Sequence, residues 1–402
     1  MQRIRPATGA GACLLVGVAA SMPLACAGPA PAGASAQRVE PSVATKSALS
    51  ARVTALGHES RSHVDRFAVY VDDGTACSSV DESGNVVAWR RDPLAERAHV
   101  FVRTSGGLAE LLPPRGFDLP APTQSLALPR KRGEFTVGFL EASSCRADDS
   151  SCDPIRRVTR AALRSATGWT DVVVPDDLVA YQIYVTDVSA SGVAVGTIRT
   201  VDKPFTNGRE LAAEGATKRS RAFAWDGAFH LLEGATQSAA TAVTPQGDVA
   251  GMITENGRPR AVRWHAGVME RMGPDGVAIE VYDMNASGVM VGSMGDRAHS
   301  QAVVVEGSRA VPLGTLGGAR SWASAISDDG RVFGTSDAGS RRHAFVWDRA
   351  KLVDLHPTNA RGALEQSWIT DATPDGRVLV GRATTSSGAT VCVQWKDEGV
   401  SP

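Results

Sequence analysis

A glycine that ends a short turn recurs seven times along the chain, at Gly84, Gly133, Gly192, Gly247, Gly288, Gly330 and Gly376. Three residues before each stand Asp81, Arg130, Ser189, Thr244, Asn285, Ser327 and Thr373. All but Arg130 carry a short oxygen-bearing side chain, the kind that hydrogen-bonds the backbone of its own turn. Val80, Pro129, Val188, Val243, Met284, Ile326 and Ala372 precede them, none with a polar side chain. Each unit therefore reads as a strand, a turn such as Ser327-Asp-Asp-Gly330, and a second strand.

Further signals repeat within the unit. Gly196, Gly251, Gly292 and Gly334 lie four residues beyond the turn glycine, and Gly138 and Gly381 five. Glycine inside a strand marks a bulge or a close backbone approach. A third strand recurs as Ala222-Phe-Ala-Trp225, Ala261-Val-Arg-Trp264, Ala302-Val-Val-Val305 and Ala344-Phe-Val-Trp347, and a fourth follows, as in Lys351 to Leu355. Four short antiparallel strands per unit predict a propeller blade.

A linear solenoid is the competing architecture, and the ends decide against it. After Trp395 too few residues remain for a fourth strand in the last unit, while Arg66 to Asp72 is an orphan strand upstream of the first. If the orphan completes the last blade, the ring closes without a bare edge. The expected fold is all-β: a seven-bladed β-propeller of four-stranded antiparallel blades, closed by an N-terminal strand. The propeller would span residues 66–397, after a poorly ordered linker at 37–65 and before a tail at 398–402.

Residues 1–36 read as an export signal and tether. Met1 to Arg5 is a basic start, and Cys13 to Ala20 is an apolar run too short to span a bilayer. Ala34-Ser35-Ala36 offers a signal-peptidase cut; alternatively Leu24-Ala25-Cys26 resembles a lipobox, with Cys26 lipidated and Pro23 departing from that pattern. Export to an oxidising compartment makes Cys145 and Cys152 a disulfide closing a small polar loop. Cys77 and Cys392 would pair only if the chain's ends meet, with Cys77 on an inner strand.

The units resemble the HAF-type extracellular repeat, whose His-Ala-Phe run stands here as His343-Ala-Phe345 before Val346-Trp347. Leu313-Gly-Thr-Leu-Gly-Gly318 and Ser321-Trp-Ala-Ser-Ala-Ile326 carry its other hallmarks. The resemblance covers roughly residues 75–397. It implies an exported bacterial repeat protein and brings no catalytic residues.

Function is less legible. A formal charge of −1 argues against a nucleic-acid grip, and the nucleophile-elbow, zincin and phosphate-loop motifs are absent from the sequence. No metal site and no cofactor are expected. The repeated Trp225, Trp264, Trp347 and Trp395 would fill wedges between blades, and His99 and His343 would be solvated or hydrogen-bonded. The lead to function is what departs from the repeat, since loops on a rigid scaffold carry binding. Long insertions join strands two and three in adjacent units, at Glu141 to Thr159 and Thr200 to Arg221. Asp148, Asp149 and Asp153 in the first, with Lys203, Arg209 and Lys218 in the second, form a candidate rim for a macromolecule or glycan. The expectation is an exported monomeric, non-catalytic binding protein, touching a membrane only through a lipid anchor. The alternative is a polysaccharide hydrolase or lyase. Two carboxylates with an Arg or His converging on the channel, their pKa values perturbed, would distinguish it.

Overall fold

The computed structural model describes residues 60–61, 67–72, 75–91, 98–112, 130–143, 157–178, 180–202, 217–234, 237–296, 298–357 and 364–397. All regular structure among them is β, in seven antiparallel sheets following the predicted units. The first strand of each sheet is Ala76–Val80, Arg130–Arg132, Ala180–Val188, Ser238–Val243, Ile279–Met284, Ser321–Ile326 and Leu364–Ala372. Consecutive first strands neighbour one another all the way round, the last touching the first, so they line a central channel. The fold is the expected seven-bladed propeller, not a solenoid.

Ring closure also follows the expectation. Phe67–Asp72 pairs with Thr390–Asp397, with Phe67 opposite Asp397 and Asp72 opposite Cys392. Ser60–Arg61 adds a short fifth strand outside it, within the stretch read as linker. Cys77 and Cys392 are disulfide-bonded, with Cα atoms 4.9 Å apart. The bond ties the inner strand of blade 1 to the third strand of blade 7, the pairing that sequence alone left open.

The turns form as their residues dictate. In six blades the turn glycine donates its N–H to the carbonyl three residues back, as Gly330 does to Ser327 at 2.9 Å. The side chain of that residue then accepts the N–H leaving the turn, as Ser327 Oγ does from Arg331 at 3.1 Å. Each of the same six inner strands carries a β-bulge six residues before its turn glycine, at Ser78, Thr186, Thr241, Tyr282, Ser324 and Thr370. All six are hydroxyl residues. Thr370 Oγ1 bonds the carbonyl of Val380 on its own second strand at 3.1 Å and that of Cys77 on the next blade at 3.4 Å. The strand-two glycine answers the bulge: a Cβ on Gly334 would stand 2.1 Å from the Trp322 carbonyl oxygen.

Between blades the wedges are apolar. Trp264 and Trp395 are buried, and their Nε1 groups donate to Glu233 and Leu355, carbonyls leaving the preceding blade, at 2.7 and 2.9 Å. Trp225 and Trp347 pack against two of the other clusters. His99 and His343 bond Glu110 and Asp354 across the third and fourth strands of their blades, each at 2.7 Å. These repeated residues are scaffold.

Candidate functional site

The inner strands run from the face that carries the strand-two-to-three and blade-to-blade connections towards the face of the hairpin turns. Different chemistry gathers at each end of the channel. At the turn end five charged residues converge. Asp187, Asp283 and Asp371 each stand five residues before a turn glycine, in blades 3, 5 and 7. Asp187 Oδ2 accepts the N–H of Val243, Asp283 Oδ2 that of Ile326, and Asp371 Oδ2 that of Val80, at 2.9 to 3.0 Å. Each carboxylate thus clasps the inner strand of the following blade.

The cations come from blade 2, whose described inner strand is Arg130–Arg132. Arg132 makes a two-pronged bond with Asp371, Nη1 to Oδ2 at 2.9 Å and Nη2 to Oδ1 at 3.0 Å. Such paired geometry is among the stronger polar contacts in proteins. Arg130 lies 3.9 Å from both Asp187 and Asp371. Lys131 bonds Asp81 at 2.6 Å at the neighbouring turn.

Burial and charge then separate the three carboxyls. Burial pushes Asp283 up to about 7, with Asp371 and Asp187 adding to the rise and Arg130 opposing it. Burial also raises Asp187, against Arg130 and Arg132. Burial would raise Asp371 too, but Arg132 and Arg130 outweigh it and hold that carboxyl below its ordinary value. Two arginines thus face three carboxyls, of which Asp283 and Asp187 are pushed towards the neutral form.

The convergence named as the mark of a hydrolase therefore exists, with perturbed pKa values. Its placement limits what it can do: Asp187 and Asp371 are buried, Asp283 is half-buried, and each is committed to neighbouring backbone. Across the bulge in blade 5, Tyr282 donates to Glu280 at 2.5 Å. Burial and Glu280 raise that phenol's pKa, so it is held neutral and is no activated nucleophile.

Further up the inner strands, eight residues before the turn glycine, stand Tyr184, Trp322 and Trp368. A guanidinium covers each ring: Arg199 at 5.6 Å from the Tyr184 ring centre, Arg342 at 5.4 Å from Trp322, and Arg382 at 5.7 Å from Trp368. Trp368 is buried, and its Nε1 has no hydrogen-bond partner among the described residues.

Of the residues assigned to the rim, only Lys218 is described; it opens the third strand of blade 3 and is exposed. Asp148, Asp149, Asp153, Lys203 and Arg209 lie outside the described residues, as do Cys26 and the Cys145–Cys152 pair. Sequence reasoning missed both channel sets. The signal was present as alternation, Asp at the fifth position before the turn glycine in blades 3, 5 and 7 and Ala in blades 4 and 6. Arg130, the one long side chain at its repeat position, marked the blade that supplies the counter-charge.

No protein-family model matches the chain, and no curated protein matches it in sequence. Among solved structures it is similar to the β-propeller domain of the Trilobed protease from Pyrococcus furiosus, at 9% identity and TM-score 0.47, covering 74% of this chain and 95% of that one. It is also similar to the Pyrococcus horikoshii acylaminoacyl peptidase, at 12% identity and TM-score 0.48 over 80% of this chain, and spans 51% of that enzyme. A Trypanosoma rangeli sialidase in complex with the inhibitor DANA gives 10% identity and TM-score 0.39, over 74% and 57% of the two chains. These likenesses concern the propeller fold alone.

Proposed function

We propose that the chain is an exported, non-catalytic binding protein of the bacterial cell envelope or extracellular space, of the HAF-repeat kind. It contacts a macromolecule or glycan with the face that carries the strand-two-to-three and blade-to-blade connections. One observation carries this reading. The turn end of the channel is occupied by charges paired with one another and with neighbouring backbone, whereas the other end carries the half-buried rings of Tyr184 and Trp322 under guanidinium groups. Aromatic and arginine side chains are the residues that dominate binding surfaces. The buried Cys77–Cys392 bond supports an oxidising destination.

The purified protein screened against a glycan array, beside a variant with residues 144–156 and 203–216 cut to short turns, tests the proposal. Binding by the parent and its loss in the shortened variant are expected. A parent that binds nothing on the array and captures no envelope component sinks it.

A second reading, hydrolysis or cleavage of polysaccharide, draws on the opposed shifts of Asp283 and Asp371, since a raised and a lowered carboxyl are the pattern of an acid–base pair. Release of reducing ends from a polysaccharide panel by the parent, abolished in Asp283→Asn, would establish it.

A further inference from the structure

We propose that the sector of blade 6 built from Arg320, Trp322, Asp337 and Arg342 binds the carboxylate-bearing sugars of an acidic polysaccharide. This deepens the reading above and rests on it. Asp337 and Arg342 are directly opposite each other on the second and third strands, and Trp322 is opposite Thr335, two residues earlier than Asp337. The period of two along a strand puts all these side chains on one side of the sheet. Arg320, two residues before Trp322, leads the chain into the inner strand. Ala344 and Phe333, on that same side, pack in the cluster shared with blade 7, so the sector opens towards the wedge between blades 6 and 7. It lies at the end of the blade where strands two and three are joined, on the proposed binding face.

Among the described residues its charges do not balance. Arg320 Nε donates to Asp337 Oδ2 at 3.1 Å, and Arg342 Nε lies 3.6 Å from Oδ1 of the same carboxylate. Two cations therefore share one anion. The side chains of Arg342 and Asp337 are 12% and 13% exposed, so water screens this surplus weakly, while Arg320 at 33% stays accessible. Glu365 does not make up the deficit, because it faces Arg341 at 3.9 Å. Burial and the neighbouring Arg320 lower the pKa of Arg342 against the pull of Asp337, the mark of a cation short of counter-charge.

Both arginines meet Asp337 through Nε, which leaves their Nη edges as forked donors suited to a second carboxylate. Trp322, half-buried with one face under Arg342, sets the uncovered part of its indole beside those forks. A pyranose bearing a carboxylate matches both features, the acid on the arginine fork and the ring against the indole. An acidic peptide would use only the first.

The full chain is titrated with oligogalacturonate, with a neutral maltodextrin of equal length and with poly-glutamate, monitoring its melting temperature alongside. Oligogalacturonate should bind at least about tenfold more tightly than either comparison ligand, and Arg320→Gln or Arg342→Gln should each weaken it by about tenfold. Arg342→Lys keeps the charge but loses the fork, and should recover only part of the affinity. Asp337→Asn removes the internal competitor and should tighten binding, the reverse of what a merely structural ion pair would give. Absence of oligogalacturonate binding, equal affinity for maltodextrin or poly-glutamate, or folded Arg→Gln variants indistinguishable from the parent would each overturn the site. If glycan binding ignores the arginines yet disappears when residues 144–156 and 203–216 are shortened, the site falls and the face reading stands. Loss of all glycan binding takes both.

Discussion

Asp371, on the inner strand of the last blade, accepts the backbone N–H of Val80 on the first blade at 3.0 Å, across 291 residues of sequence. The seam of the ring is thus a buried charge meeting a backbone donor, with Arg132 of blade 2 gripping the same carboxylate. Taking two charges out of water is costly, and it is repaid only when every remaining donor and acceptor is met. Here Arg132 Nη1 also donates to the Val80 carbonyl at 2.7 Å, so three blades share one network.

Arg132→Ala should consequently destabilise the fold by about 3–5 kcal/mol, because it strands a buried carboxylate. Asp371→Asn in the same chain should restore part of the loss, since the neutral amide no longer needs a cation. Urea unfolding of both singles and the double measures the coupling. Additive losses would show that the pair is not a unit.

Closure also depends on the disulfide and the N-terminal strand. The Cys77–Cys392 bond spans 315 residues, and removing such a cross-link costs about 2–5 kcal/mol. Both cysteines are buried, so Cys77→Ala with Cys392→Ala should lower the denaturation midpoint without changing the ligand profile. Deleting residues 37–73 should do more, because it strips the strand from Thr390–Asp397 and exposes its edge. Size-exclusion chromatography should show aggregate; a stable monomeric truncation would argue against closure as the basis of stability.

The ring was legible in sequence because each blade must solve the same local problem with its own residues. Gly330 after Ser327 makes a turn, Phe345 and Trp347 fill wedges, and the surplus strand at Phe67 matches the deficit after Trp395. Cys77 with Cys392 was legible only as a possibility, since the distance between an inner strand and a third strand of the next blade depends on blade twist. The channel residues were hidden for a different reason. Asp187, Asp283 and Asp371 act on the blade that follows them, so their meaning lies between repeats, and within one repeat each looks like another polar residue near a turn. The sector around Asp337 departs from the repeat by pairing residues that are distant in sequence, Arg320 and Arg342, and no spacing rule links them.

Gly334 gives a local test of the bulge. Its virtual Cβ would sit 2.1 Å from the Trp322 carbonyl, a position set by the bulge at Ser324. Gly334→Ala should cost about 3 kcal/mol or more through forced backbone movement. Gly388→Ala is the control; nothing lies within 4 Å of its Cβ, and only its positive φ of 80° resists the change. Comparable losses in the two variants would remove the close approach as the reason for glycine in the second strand.

Asp283 makes stability depend on pH in an unusual direction. Its carboxyl titrates near 7 in the folded ring, against about 3.9 in an unfolded chain. A group whose folded pKa is raised contributes most when protonated in both states, below about pH 4, and that contribution is lost as pH rises through about 7. Arg130 and Arg132 face this carboxyl from blade 2, Asp187 and Asp371 from blades 3 and 7, and the Ile326 N–H from blade 6. Asp371, whose pKa is lowered, loses its contribution only on acidification below that of a free carboxyl, so it does not interfere between pH 5 and 8. The raised Asp187 adds a slope of the same sign, which is why the comparison is made against Asp283→Asn rather than read from the parent alone. The unfolding free energy of the parent should fall relative to that variant most steeply between about pH 5 and pH 6.5, and the fall should level off above about 7, where the carboxyl ionises in the folded ring as well. Parallel curves would mean that Asp283 is ionised throughout and that its negative charge in the cluster is not relieved by protonation.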